Sequence, residues 1–134
     1  MSVSMRGRST GTHTVELIHE SGSVIHTMAP KDNGGDGSSF SPTDLCAVSL
    51  GACSTTIMNQ YAANHGISLR NIEFELVKEM SPPPRRIERL TVTYRIMGVV
   101  SDLEFQKVVA AGKACPVRIT LGDRVEIVER YERA

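Results

Sequence analysis

The chain has no tryptophan and only three phenylalanines and three tyrosines, so most of its core must be aliphatic. It also lacks a net charge, because fifteen basic and fifteen acidic side chains cancel. A balanced chain sets up no long-range field, and neither nucleic acid nor an anionic membrane surface is an expected partner. The opening Met1-Ser2-Val3-Ser4-Met5-Arg6 holds no apolar stretch of the signal-peptide kind, which makes the cytoplasm the expected compartment. Cysteine is scarce too, with three residues and no CxxC pair. That count argues against a structural disulfide framework and against zinc. His13, His19, His26 and His65 share no recognised metal spacing with the cysteines, and a solvated or hydrogen-bonded sheet face is the expected place for His13 and His19. No metal or other cofactor is expected.

What is present is organised as one domain over residues 1–134, an ordinary size for a single core. His13–His19 and Ser23–Met28 read as β-segments joined by a turn at Glu20-Ser21-Gly22. Ala29–Phe40, rich in glycine and serine and including the stretch Asn33–Ser39, reads as a mobile loop. Ser41-Pro42-Thr43-Asp44 is a helix start: a capping serine, proline at the first helical position and an acid three residues after the cap. The helix is expected to run to about His65 and stop at Gly66. From Leu45 to Asn64 it carries no charge, but Ser49, Ser54, Thr55, Thr56, Asn59 and Gln60 interrupt the run. It reads as a helix buried in protein, with Gly51 and Ala52 allowing another helix close beside Cys53.

Ile72, Phe74 and Leu76 alternate with Glu73 and Glu75, and Leu90, Val92, Tyr94 and Ile96 alternate with Thr91, Thr93 and Arg95. This is the period of half-buried strands, here separated by Pro82-Pro83-Pro84. Ser101-Asp102-Leu103-Glu104 is a capping box that opens a second helix ending near Gly112. Cys115-Pro116 begins one further helical turn, and Val125, Ile127 and Tyr131 supply a closing strand. The order ββ-α-ββ-α-β predicts an α+β domain with one sheet covering the apolar helix.

Two cysteines have distinctive surroundings. Cys53 lies inside the charge-free run that includes Leu45-Cys46-Ala47-Val48-Ser49-Leu50-Gly51-Ala52-Cys53, and Cys115 opens Cys115-Pro116-Val117-Arg118. If the fold joins them, they can cycle between dithiol and disulfide. Peroxide reduction is the chemistry such a pair suits: one thiolate attacks the O–O bond and becomes a sulfenic acid, and the other captures it as a disulfide. Apolar burial alone raises a thiol pKa, so Cys53 needs a positive neighbour, for which Arg118, Arg6 and Arg8 are the candidates. Cys115 at a helix start reads as the more acidic thiol, and the order of attack stays open on these grounds. A purely structural role is the alternative for each of the two. Cys46 lies two helical turns before Cys53, about 10.5 Å along the axis, too far for a disulfide, and reads as a small core residue. Arg85, Arg86 and Arg89 beside the prolines offer an anion contact or, more simply, a solvated turn.

Ser41-Pro42-Thr43-Asp44-Leu45, Ser49-Leu50-Gly51-Ala52-Cys53 and Cys115-Pro116-Val117 together resemble the OsmC/Ohr family, the osmotically inducible and organic hydroperoxide resistance proteins. The resemblance extends from about Val15 to Tyr131. It implies an OsmC-like fold, with an antiparallel sheet packed on a long central buried helix, in an intertwined homodimer whose active sites lie at the subunit interface. It further implies Cys53 as the peroxidatic thiol and Cys115 as the resolving one, organic hydroperoxides as substrates, and a dithiol such as a lipoyl group as reductant. Where the best-characterised members carry Glu after the proline, this chain has Thr43, with Asp44 one position later. Their activating Arg comes from the N-terminal part, and Arg118 stands where relatives often show His or Ser. These departures imply a divergent OsmC-like subgroup, for which the alternative function is a redox-sensing or ligand-binding dimer without rapid turnover.

Overall fold

The computed structural model describes residues 1–98 and 100–134. They form two compact units, Met1–Cys46 and Ala47–Ala134, divided within one long helix. The first unit holds β1 (Met5–Ser9), β2 (Thr14–His19) and β3 (Val24–Met28), an antiparallel sheet in the order β1-β2-β3. The hairpin expected between β2 and β3 is present. Strand β1 was not expected, because Met5-Arg6-Gly7-Arg8-Ser9 is exposed throughout and shows no apolar alternation. Its pairing is reinforced across the sheet: Arg8 opposes Glu16 and Glu16 opposes His26, with Arg8 Nε donating to Glu16 Oε1 at 2.9 Å and His26 Nε2 lying 3.4 Å from Glu16 Oε2. His19 bonds to Ser21 Oγ in the hairpin turn. Within the expected loop, Lys31–Asn33 forms a 3₁₀ turn, and the Met28 N–H donates to the Phe40 carbonyl.

Helix α1 (Pro42–Asn64) begins and ends as its sequence requires. The Asp44 N–H donates to Ser41 Oγ, and the Ser41 N–H donates to Asp44 Oδ2, a reciprocal cap on two donors the helix cannot satisfy itself. Gly66, with φ 64°, takes the left-handed conformation just beyond the end. Within one chain the helix is buried along one face. Ala47, Leu50, Gly51, Ser54, Met58 and Ala62 form a buried stripe at intervals of three or four residues, whereas Ala52, Thr56, Asn59 and Gln60 are exposed. Cys46 is exposed as well and is no core residue. One residue rotates a helix by about 100°, which carries Cys46 off the stripe begun by Ala47.

The second unit contains β4 (Leu69–Met80), β5 (Ile87–Gly98), α2 (Asp102–Lys113), α3 (Pro116–Leu121) and β6 (Glu126–Arg133). Its sheet has the order β4-β5-β6. Strands β4 and β5 pair antiparallel, setting Phe74 opposite Tyr94 and Leu76 opposite Val92. Strand β6 pairs with β5 in parallel. The described residues therefore form two three-stranded sheets where one was expected, and the second is mixed, not antiparallel. A parallel return cannot be made by a tight turn, and α2 and α3 occupy the crossover. The capping box of α2 is present, with the Glu104 N–H donating to Ser101 Oγ and the Ser101 N–H to Glu104 Oε1. Leu50, Met58, Leu90, Val92, Tyr94, Ile96, Val108 and Cys115 are essentially inaccessible and make one core. Each such aliphatic side chain contributes about 1.5–3 kcal/mol by leaving water.

Candidate thiol site

The site is built entirely within the second unit, where α1, the end of α2 and the inner face of the sheet converge. Two glycines permit this. A Cβ on Gly51 would lie 2.3 Å from Phe74 Cε2, so α1 rests on the aromatic ring of β4 at that point. A Cβ on Gly112 would lie 2.8 Å from both Ser54 Oγ and Met58 Cγ. The close helix neighbour expected beside Gly51 and Ala52 is thus α2, and it approaches α1 at Ser54 and Met58, while Gly51 itself meets the sheet.

One carbonyl links the two cysteine segments. Ser54, the residue after Cys53, is fully buried and its hydroxyl donates to the Gly112 oxygen at 3.0 Å. The Cys115 N–H donates to the same oxygen at 3.3 Å. The Cys53 thiol then stands within hydrogen-bonding reach of Cys115. Both are reduced. They differ in access: Cys53 is half-buried, and Cys115 is 0% exposed.

Cys115 is the N-cap of α3, and the Arg118 N–H donates to its sulfur at 3.4 Å. The helix start was expected to make this thiol acidic. Burial outweighs it, and the Cys115 thiol is pushed up, with the Arg118 N–H opposing the rise and the neighbouring Cys53 adding to it. The Arg118 side chain turns to Glu129: Nε and Nη2 lie 2.8 Å and 2.7 Å from Oε1. Tyr131 Oη donates to Glu129 Oε2 at 2.6 Å. The Glu129 side chain is only 6% exposed, so these charge-assisted bonds are what permit a carboxylate there. Of the three arginines considered as partners for the thiols, Arg118 belongs to this site. Arg8 pairs with Glu16 inside the first unit, and Arg6 lies on β1 beside Ile18.

Tyr94 completes the inner wall. It opposes Tyr131 across the parallel pair and stacks on it, with ring centroids 5.0 Å apart and planes at 11°. Its hydroxyl is buried beside the Ser54 side chain, without a hydrogen bond of ordinary geometry among the described residues. Burial pushes its pKa up to about 12, with a side-chain hydrogen bond from Ser54 opposing the rise and the charges of Glu129, Cys115 and Cys53 adding to it. Ser54, Tyr94, Glu129 and Tyr131 were not recognisable as site residues in the sequence. The available signals were a serine abutting a cysteine and a glutamate sharing inward parity with Ile127 and Tyr131 on β6.

Other features singled out earlier lie elsewhere. Thr43 Oγ1 is 3.2 Å from Ser41 Oγ at the start of α1, where Asp44 serves the cap. Near the proline turn, Arg86 donates to the Arg124 and Ile87 carbonyls, and Arg89 pairs with Glu126 and Glu79. Both are held by protein acceptors. No helix of the described residues is long and apolar enough to cross a membrane.

Comparison with known proteins agrees with this architecture. No curated protein matches the chain. Among solved structures, a protein from Psychrobacter arcticus 273-4 described as an osmotic stress induced and detoxification response protein is 28% identical, with a TM-score of 0.85 over 97% of this chain and 94% of that one. An organic hydroperoxide resistance protein OsmC from Legionella pneumophila shares 18% identity with a TM-score of 0.74 over 98% and 97% of the two chains. The organic hydroperoxide resistance protein OhrB of Bacillus subtilis shares 15% with a TM-score of 0.70 over 98% of each. A family profile described as OsmC-like protein matches residues 35–130, a span containing α1, both cysteine segments and nearly all of the second sheet, and the chain belongs to the OsmC-like family.

Proposed function

We propose that the protein is a thiol-dependent peroxidase that reduces organic hydroperoxides to alcohols. The observation that carries this reading is the pairing of a half-buried thiol with a fully buried one within reach of it. A hydroperoxide meets Cys53 first. The Cys53 thiolate attacks the terminal peroxide oxygen, the O–O bond breaks, and the alcohol leaves after taking a proton. Cys53 is then a sulfenic acid beside Cys115. Attack by the Cys115 thiolate expels that oxygen as water and forms the disulfide, and a dithiol reductant, for which a lipoyl group is suited, restores both thiols by exchange. Cys115 is shielded from direct oxidation by its burial and from premature ionisation by its raised pKa.

The homodimer implied by the family is part of the proposal. The exposed part of α1, with Cys46, Ala52, Thr56, Asn59 and Gln60, carries no charge, a composition suited to contact with a second copy. The cytoplasm is the fitting compartment for a pair that must be reduced after each cycle. The test is intact mass and residual peroxide after one equivalent of cumene hydroperoxide is added to reduced protein. Wild type is expected to consume the peroxide and lose about two mass units per chain. Cys115→Ser should still consume one equivalent but stop at a trappable sulfenic acid, and Cys53→Ser should consume none. Persistence of peroxide with wild-type protein still reduced overturns the reading.

A second reading, a redox-sensing dimer, is favoured by two observations: Thr43 at the position of the family Glu, and the site's Arg–carboxylate pair built beside Cys115 through Arg118 and Glu129. Slow, sub-stoichiometric peroxide consumption with reversible disulfide formation distinguishes it.

A further inference from the structure

Ser54 has no part in the scheme above, yet its bond is unusual for its place. It is the one polar residue in the buried stripe of α1, and it is 0% exposed. A hydroxyl inside a helix commonly turns back to the carbonyl four residues earlier, as Thr56 does to Ala52 in this same helix at 2.8 Å. Ser54 instead donates at 3.0 Å to the Gly112 oxygen, 58 residues away in the chain. That oxygen belongs to the last turn of α2, where carbonyls lack a partner in their own helix, and it also accepts the Cys115 N–H at 3.3 Å. The approach needs a glycine: a Cβ on Gly112 would lie 2.8 Å from Ser54 Oγ. One bond therefore fixes residue 54 against residue 112. The first of these directly follows Cys53, and the second stands three positions before Cys115.

We propose that Ser54 is a positioning residue for disulfide formation: its bond to the Gly112 carbonyl holds the Cys115 segment against the turn of α1 that carries Cys53, and so sets the separation of the two sulfurs. This rests on the pairing of Cys53 with Cys115 in the reading above. A disulfide tolerates only a narrow range of Cα and Cβ separations, so a small slide of α2 along α1 takes the thiols out of it. In the resolving step the Cys115 sulfur forms a bond to the Cys53 sulfur while the Cys53 S–O bond breaks. The departing hydroxide takes up the proton that the Cys115 thiol released, so the products are disulfide and water. Ser54 acts on this step through its hold on the backbone, by keeping the reacting atoms near their bonding geometry.

Ser54→Ala removes the hydroxyl, and Gly112→Ala keeps it while forcing a methyl between the two segments. Each is made together with Cys46→Ser, so that the exposed third thiol forms no mixed disulfide, and is equilibrated in mixtures of reduced and oxidised glutathione. The dithiol protein and one oxidised glutathione exchange to protein disulfide and two reduced glutathiones. Acid quenching, alkylation of free thiols and intact mass give the proportions. The equilibrium constant for the Cys53–Cys115 disulfide is expected to fall about 3- to 10-fold in Ser54→Ala and to fall in Gly112→Ala as well. A loss of stability common to the reduced and oxidised forms, including any that arises at the neighbouring Tyr94 hydroxyl, cancels in this constant, so a merely structural role would not move it. An unchanged constant in either variant overturns the role given to Ser54. If the Cys46→Ser parent forms the disulfide with glutathione while wild type leaves cumene hydroperoxide unconsumed, the peroxidase reading fails and the inference stands on its constants. If the parent forms no Cys53–Cys115 disulfide, both fall.

Discussion

A buried phenol and a buried thiol respond to alkali in the same sense. Each loses a proton readily in the unfolded chain and reluctantly in the fold, so the unfolded state is favoured as pH rises. For Tyr94 the ordinary value of 10.0 moves up to about 12. The associated stability is complete below about pH 10 and is lost as pH climbs through about 12, a difference of about 3 kcal/mol. Tyr131 and Cys115 are shifted in the same direction. Urea midpoints measured at pH 8 and pH 11 should therefore fall steeply for wild type and less steeply for Tyr94→Phe, and equal slopes would contradict the burial described for this hydroxyl. At this scale the cysteines were legible in the sequence, since each lies in a distinctive local frame. Tyr94 was legible only as an inward-facing strand residue. Nothing local to a tyrosine among valines and threonines shows that its oxygen will be buried beside Ser54, because that depends on α1 packing against the sheet.

Helix α1 and strand β4 touch with no room between them at Gly51. Replacing this glycine by alanine gains about 1 kcal/mol of helix propensity and forces the methyl into the Phe74 ring, an overpacking that costs about 1–3 kcal/mol. Gly51→Ala should lower the melting temperature, and Phe74→Leu should recover part of the loss in the double variant beyond what additivity allows. Simple additivity of the two substitutions, measured by denaturant unfolding, would show that the contact does not limit the approach. Both capping boxes were readable because each is a local pattern in which serine and an acid three residues later serve each other. Which face of α1 is buried within one chain was not readable from the sequence, for a physical reason. The absence of charge says that a face tolerates burial, whereas the stripe from Ala47 to Ala62 is set by what packs on it.

Closing a disulfide between Cys53 and Cys115 would tie a loop of roughly 60 residues, worth about 4 kcal/mol through the entropy of the unfolded chain. Oxidised protein should unfold at distinctly higher denaturant than reduced protein, and coincident curves would mean that the link is strained or does not form. The strand pairings of β2 with β3 and β4 with β5 follow from sequence neighbours. Strand β1 lacked any pattern to find, and nothing within Glu126–Arg133 encodes a direction relative to β5. That direction has a consequence. Had β6 returned antiparallel, a tight turn would have sufficed and no chain would lie between the two strands. The parallel arrangement obliges the backbone to leave the sheet and travel back along it, and Cys115 rides on this unavoidable detour. Descendants of this architecture are free to discard the sulfur, but they must retain the segment that carried it, so the same vantage point over α1 remains open to whatever chemistry a later side chain brings there.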